Sequence, residues 1–164
     1  MLSEQVQGMR VAQALEAALP GAILDGKLDF NELTLEIEPG RLVEVCQSLK
    51  AARFNRLTAV TCVDWYPMEP RFEVVYHLHA ALSGDRSERL RLKCRAVGEP
   101  PAVDSVSGVW KSADWYEREV FDLFGVHFRN HPNLTRILMP EDWEGHPLRK
   151  DFPIHGHKYS YQNQ

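Results

Sequence analysis

The chain has 164 residues, 44% hydrophobic and 26% charged, with a formal charge of −4. This length and balance predict one soluble-type domain that buries about 70% of its unfolded surface, and the acidic net charge argues against nucleic acid as the main partner. No apolar run approaches the roughly 18 residues of a bilayer span, and the N-terminus lacks the basic start and apolar stretch of a signal peptide, so a membrane is expected to be reached only through a partner.

Ser3 is placed to cap a first helix running to about Leu19, where Pro20 and Gly21 stop it. Short strands are predicted over residues 22–25 and 32–37, the second alternating Leu33, Leu35 and Ile37 against Thr34 and Glu36. Pro39 opens a second helix with Leu42, Val43, Cys46 and Leu49 on one side. Residues 57–65, mostly β-branched or apolar, read as a central strand. Residues 71–79 and 88–95 alternate, with Phe72, Val74, Tyr76 and Leu78 on one side of the first and Leu90, Leu92 and Cys94 on one side of the second. Residues 66–70 and 83–86 supply hairpin connections. The order predicts an α+β domain: a mixed or antiparallel sheet with helices on one face. The other face is not expected to be strongly polar, which leaves it to be covered by the last third of the chain.

Cys46, Cys62 and Cys94 are isolated, which predicts three reduced core thiols and too few thiolates to ligate an iron–sulfur cluster alone. His77 and His79 share one face of a strand, but no third ligand lies near them in sequence. A packed or solvated pair is the expectation there, rather than a metal site.

Pro100 and Pro101 mark a break before residues 102–153. Asp104 or Ser105 is placed to cap a short turn ending near Trp110. Ser112 or Asp114 then caps the main helix, with Glu117 as a capping-box partner. Tyr116, Val120, Leu123 and Phe124 form its apolar face, Arg118 and Asp122 are spaced to pair at i, i+4, and Gly125 supplies the left-handed terminus. Residues 125–153 keep no helical or strand period, yet they are too rich in Phe, Leu, Ile and Trp for a disordered tail. His131-Pro132, Met139-Pro140, His146-Pro147 and Phe152-Pro153 punctuate them, each proline enforcing extended backbone and deleting a donor. Such a long irregular ribbon must lay its side chains on its own sheet or on another subunit, and we read it as held by another protein. Leu134, Ile137, Leu138 and Trp143 are the expected anchors. Arg136, Arg149 and Lys150 need carboxylates if buried, with Asp151 and Glu119 as candidates within the chain. The competing reading is a soluble metalloenzyme using the His and acidic residues of 127–146, although Asn130 and Pro132 oppose a zinc helix at His127 and His131. Residues 1–164 thus read as a single domain: a core over 1–101, a helix and partner-binding segment over 102–153, and a polar tail over 154–164.

Three blocks carry a resemblance: Glu-Arg-Glu-Val-Phe-Asp-Leu-Phe-Gly (117–125), His-Pro-Asn-Leu-Thr-Arg-Ile-Leu-Met-Pro (131–140) and Gly-His-Pro-Leu-Arg-Lys-Asp-Phe-Pro (145–153). In this order and spacing they resemble the 30 kDa subunit family of NADH-quinone oxidoreductase, respiratory complex I. The resemblance implies a peripheral subunit of the hydrophilic arm with no cofactor of its own, the FMN and iron–sulfur clusters being carried by partner subunits. It implies packing against the large quinone-site subunit and the iron–sulfur subunits of that arm, on the cytoplasmic face of a bacterial cell membrane. By motif match, Glu117, Arg118, Glu119, Asp122, Arg136, His146, Arg149, Lys150 and Asp151 are the expected subunit-interface residues. Related subunits in ferredoxin- or F420-linked dehydrogenases and membrane-bound hydrogenases are the alternative within the same class.

Overall fold

Alternating apolar residues in five strands, backed by four α-helices, account for most of the core of this chain, described here from a computed structural model over residues 4–81 and 87–153. The predicted Ser3 cap, the 83–86 connection and the polar tail 154–164 lie outside the described residues. The first helical stretch is two pieces, α1 (Glu4–Gln7) and α2 (Arg10–Ala18), because Met9 adopts an extended conformation just after Gly8, the poorest helix former short of proline. Strands β1 (Ile23–Asp29) and β2 (Glu32–Ile37) form a hairpin. A 3₁₀ turn at Pro39–Arg41 leads into α3 (Leu42–Ala51), which buries Leu42, Val45, Cys46 and Leu49. Strands β3 (Arg56–Asp64), β4 (Phe72–Ala81) and β5 (Ser87–Arg95) complete a sheet of order β1-β2-β5-β4-β3. All neighbours are antiparallel except β2 and β5, so the sheet is mixed.

Register decides which side chains meet. Leu35, Leu92, Tyr76 and Val60 align across four strands on the core face, as do Ile37, Cys94, Val74 and Cys62. The three cysteines are buried and free; burial pushes the Cys62 and Cys94 thiols up to about 12 and Cys46 well above its usual value. All three therefore stay protonated and act as small apolar fillers.

Two expectations need correction. Strand β3 is an edge strand, not a central one. Leu57, Val60 and Cys62 face the core, whereas Arg56, Thr58 and Thr61 are exposed, so the apolar run serves one face only. A register irregularity between Leu57 and Ala59 and a hydrogen bond from the Ser112 hydroxyl to the Leu57 carbonyl (3.2 Å) blunt this edge. The outer face of the sheet is also charged and is not covered by the last third of the chain. Arg89 and Arg91 pair with Glu32, Lys93 with Glu73, and Arg95 with both Glu36 and Glu73. His77 and His79 lie opposite Arg91 and Arg89 on that face, and burial together with Arg91 lowers the His77 pKa.

Beyond the sheet, β6 (Ala102–Asp104) pairs in parallel with β7 (His127–Arg129), flanking α4 (Ala113–Phe124). Helix α4 packs on β3 and buries Val120, Leu123 and Phe124, three of the four residues expected on its apolar face. The chain from Asn130 to Pro153 then has no further strand or helix.

Candidate functional site

Helix α4 holds much of the last third of the chain, and its C-terminal end supplies the starting point. An α-helix leaves its last four carbonyls without intrahelical partners. In α4 all four are taken. Gly125 N–H donates to Phe121 (2.9 Å), as its left-handed conformation requires. The remaining three donors come from the ribbon: His146 Nδ1 to Asp122 (2.9 Å), Leu148 N–H to Leu123 (3.1 Å) and Arg149 Nε to Phe124 (2.6 Å). Any side chain at residue 125 would collide with this cap, since a Cβ there would overlap Arg149 and sit 2.5 Å from His146 Nε2. Glycine is required at this position for close approach as well as for its positive φ. Burial, with Arg149 and Arg136 nearby, keeps the His146 pKa below its usual value, so the ring is neutral with its hydrogen on Nδ1.

Asp122 is the second fastening. Its carboxylate is fully buried. Oδ2 accepts the backbone N–H groups of Ile137 (3.0 Å), Leu138 (2.8 Å) and Met139 (2.9 Å), and Oδ1 accepts Arg136 (2.9 Å). Burial opposes ionisation, but the three N–H donors and the guanidinium outweigh it and hold the carboxyl below the usual carboxylate range. The expected Arg118–Asp122 pair does not form. Arg118 reaches back instead to the Thr135 carbonyl (3.1 Å) and hydroxyl (3.0 Å) while lying over the Trp115 ring.

The third fastening joins the ribbon to the sheet. Asp64, at the end of β3, takes Arg71 through two 2.7 Å bonds, and Arg71 grips Asp151 through two more (2.9 and 2.6 Å). Asp64 also accepts the N–H groups of Tyr66 (2.9 Å) and Lys150 (2.8 Å). Arg71 stacks on Tyr66 and Phe72, and Arg149 lies over the same Phe72 ring. Against the cost of burial, these donors bring the Asp64 pKa down to about 2.

At the other end of α4, Glu117 is fully buried and does not close a capping box. Its oxygens accept Ser105 Oγ (2.6 Å) and Val106 N–H (2.7 Å), tying α4 to the connection after β6. Ser112 occupies the cap position but spends its hydroxyl on Leu57. His131 accepts Asn133 N–H on Nδ1 (3.1 Å) and directs Nε2 at the Asp114 carbonyl (3.2 Å), 3.8 Å from Glu117. Burial raises the Glu117 pKa to about 7, the two hydrogen bonds opposing and Asp114 reinforcing the shift. In the unfolded chain the same group titrates near 4.5. Its contribution to stability is therefore complete below pH 4.5 and is lost as pH rises through about 7. Glu117→Gln, which mimics the protonated acid, should gain roughly 2–4 kcal/mol on the wild type between pH 5 and pH 8. Urea unfolding of both proteins across that range checks this; parallel curves would mean that Glu117 ionises normally.

The nine motif residues thus have unequal fates. Glu117 and Asp122 are enclosed by their own chain, and Arg118, Arg136, His146, Arg149 and Asp151 are engaged within it. Arg136 finds Asp122, and Arg149 a carbonyl and a ring, rather than the carboxylates of Asp151 or Glu119 expected from sequence. Glu119 and Lys150 are exposed. Of the expected anchors, Leu134 packs on the core, whereas Leu138 points outward and is 55% exposed. His127 and His131 do not converge: His127 sets its ring edge-on to Phe121. Among the described residues no group of three or more His, Cys, Asp or Glu side chains is placed to share a metal ion. Asp64 and Arg71 carry no motif signal in the sequence, although Asp64 falls in the same alternation as Val60 and Cys62 and so faces inward.

Comparison with known proteins gives a consistent result. The family described as respiratory-chain NADH dehydrogenase, 30 kDa subunit, matches residues 35–158. The chain is 43% identical over 148 residues to the C subunit of the NADH-quinone oxidoreductase of Citrifermentans bemidjiense, covering 90% of each chain. It is 48% identical to the corresponding C subunit of a Roseiflexus species, covering 88% of this chain and 83% of that one. Among solved structures, it is similar to the trypsin-resistant fragment of Nqo5 (30% identity, TM-score 0.65, covering 77% of this chain and all of that one). It is also similar to a chain of an archaeal membrane-bound sulfane sulfur reductase (26% identity, TM-score 0.71, covering 88% of this chain and 84% of that one).

Proposed function

The chain belongs to the respiratory-chain NADH dehydrogenase 30 kDa subunit family, and from that membership we propose that it is a non-catalytic peripheral-arm subunit of a proton-translocating NADH:quinone oxidoreductase. It stabilises the quinone-reducing module by packing against the large quinone-site subunit and the iron–sulfur subunits beside it. FMN and the clusters are carried by those neighbours and others. The protein lies on the cytoplasmic face of a bacterial cell membrane and reaches the bilayer only through the assembly; no helix among its described residues is long and apolar enough to cross one. Residues 1–164 act as one domain, with 102–153 as the partner-binding part.

The observation that carries this reading is how the ribbon is built. Arg136, His146, Arg149 and Asp151 fix it to α4 and to Arg71, while Leu138 and Leu148 of the ribbon and Trp115 of α4 are left 55%, 53% and 63% exposed. A braced strap that displays apolar side chains, with Glu119 and Lys150 among them, suits the core and rim of an interface. Arg118, Arg136, His146, Arg149 and Asp151 serve that interface by holding its shape. The likeness to the sulfane sulfur reductase chain supports a second reading, the equivalent subunit of a related membrane complex, but identity to the NADH-quinone oxidoreductase relatives is higher.

The full chain, tagged in its native host, should co-purify with the large subunit and the iron–sulfur subunits and show no NADH oxidation when isolated. Leu148→Asp should weaken that co-purification without moving the unfolding midpoint of the free chain. NADH turnover by the isolated chain, or its recovery from membranes without partners, would refute the proposal.

A further inference from the structure

A cleft of 520 Å³ opens where the end of α3, the start of β3 and the start of α4 meet, and no residue of the strap lines it. Its charged lining residues are Lys50, Arg56 and Lys111, and no carboxylate lines it. In a chain of net charge −4 this is a local reversal of sign. Lys50 donates to the Val109 carbonyl, which fixes its position and leaves two N–H groups for a ligand. Arg56 and Lys111 make no ion pair with a described carboxylate. Asp114, the first acid of α4, lies 3.4 Å from His131 Nε2 and does not line the cleft. Asn55 and Tyr116 add neutral polar groups to the lining, and the start of α4 contributes the positive end of its dipole.

We infer that this cleft receives an acidic segment of a neighbouring subunit, with Asp or Glu side chains meeting Lys50, Arg56 and Lys111. A protein segment fits better than a small anion because the three cations are exposed around an open rim, and no glycine-rich loop or buried donor cluster forms a cradle. Nucleic acid fits less well, because three cations in one cleft are few for tracking a phosphate backbone and the chain as a whole carries −4. The inference rests on the subunit reading above, but concerns a different surface from the strap.

The test uses the purified complex and a zero-length carbodiimide, which joins a lysine amine to a carboxylate only when they touch. Lys50 or Lys111 should be cross-linked to Asp or Glu residues of another subunit, and both lysines should resist amine-reactive labelling in the complex while reacting in the free chain. Exposed Arg56→Glu and Lys111→Glu should each weaken association by about tenfold at low salt and flatten its salt dependence, leaving the unfolding midpoint of the free chain unchanged. Labelling of both lysines at the free-chain rate in an intact complex would overturn this inference while leaving the subunit reading in place. Protection of the free chain by inorganic phosphate, with none from the partner, would also overturn it by making the cleft a small-anion site. Recovery of the chain with no partner at all would sink both.

Discussion

Replacing Asp122 by alanine should cost about 3–5 kcal/mol, the range for removing one partner of a buried ion pair. The cost arises from what is left behind. Three backbone N–H groups at Ile137, Leu138 and Met139 lose their only described acceptor, and the Arg136 guanidinium loses its counter-charge. Arg136 also holds the Gly145 carbonyl (3.1 Å), so its displacement would loosen the ribbon on both sides of Trp143. Asp122→Asn keeps one acceptor oxygen but turns an amide donor toward Arg136 or toward the N–H groups, and should fall between the two. Urea unfolding measures the stability change, and limited trypsin digestion locates it, with cleavage expected first after Arg136 and Lys150. A loss under about 1 kcal/mol, the net worth of one ordinary hydrogen bond, with unchanged digestion would show that the ribbon is held by something other than this carboxylate.

Arg71→Ala is expected to cost a similar amount, about 3–5 kcal/mol, for a related reason. Asp64 is nearly inaccessible, and its charge is tolerated because Arg71 offers a bidentate fork supplemented by two backbone N–H groups. Removing the guanidinium strands that charge and frees Asp151 at the same time. Lysine at position 71 could restore a charge but not four directed bonds to two carboxylates, so Arg71→Lys should recover less than half of the loss. The acid limb of stability provides an independent readout. Asp64 titrates near 3.8 when unfolded and about 2 when folded. Its contribution, on the order of 2 kcal/mol, is present above pH 3.8 and lost as pH falls to about 2. The alanine variant should lack that acid-dependent component; an unchanged acid limb would mean that Asp64 is held by its backbone donors alone.

Both substitutions act on the same physical problem. A proline-punctuated ribbon makes few backbone hydrogen bonds of its own, and ordering each residue costs roughly 1–2 kcal/mol of conformational entropy. Here that cost is offset by a helix whose terminal carbonyls and one buried carboxylate all face the ribbon, and by an arginine clamp at its far end. Complex assembly would then meet a surface already fixed in shape, which lowers the ordering cost of binding.

Local features are legible in the order of the amino acids. Gly125 marks the end of α4 because glycine adopts the left-handed terminal conformation without strain. Period-2 alternation locates β2, β4 and β5 and identifies which residues face the core, and the isolated cysteines read as buried thiols. The prolines show that residues 130–153 are neither helix nor strand. What those elements meet is settled by the folded chain. Alternation reports which side of a strand is buried but not its neighbours, so the edge position of β3 and the parallel pairing of β2 with β5 are hidden from it. The partner of a charge is likewise a matter of what folding brings within hydrogen-bonding reach. Arg118 and Asp122 lie one turn apart yet do not pair, while Arg71 and Asp151 are 80 residues apart and do. Ion pairing depends on short-range geometry and desolvation, neither of which is encoded by spacing along the chain.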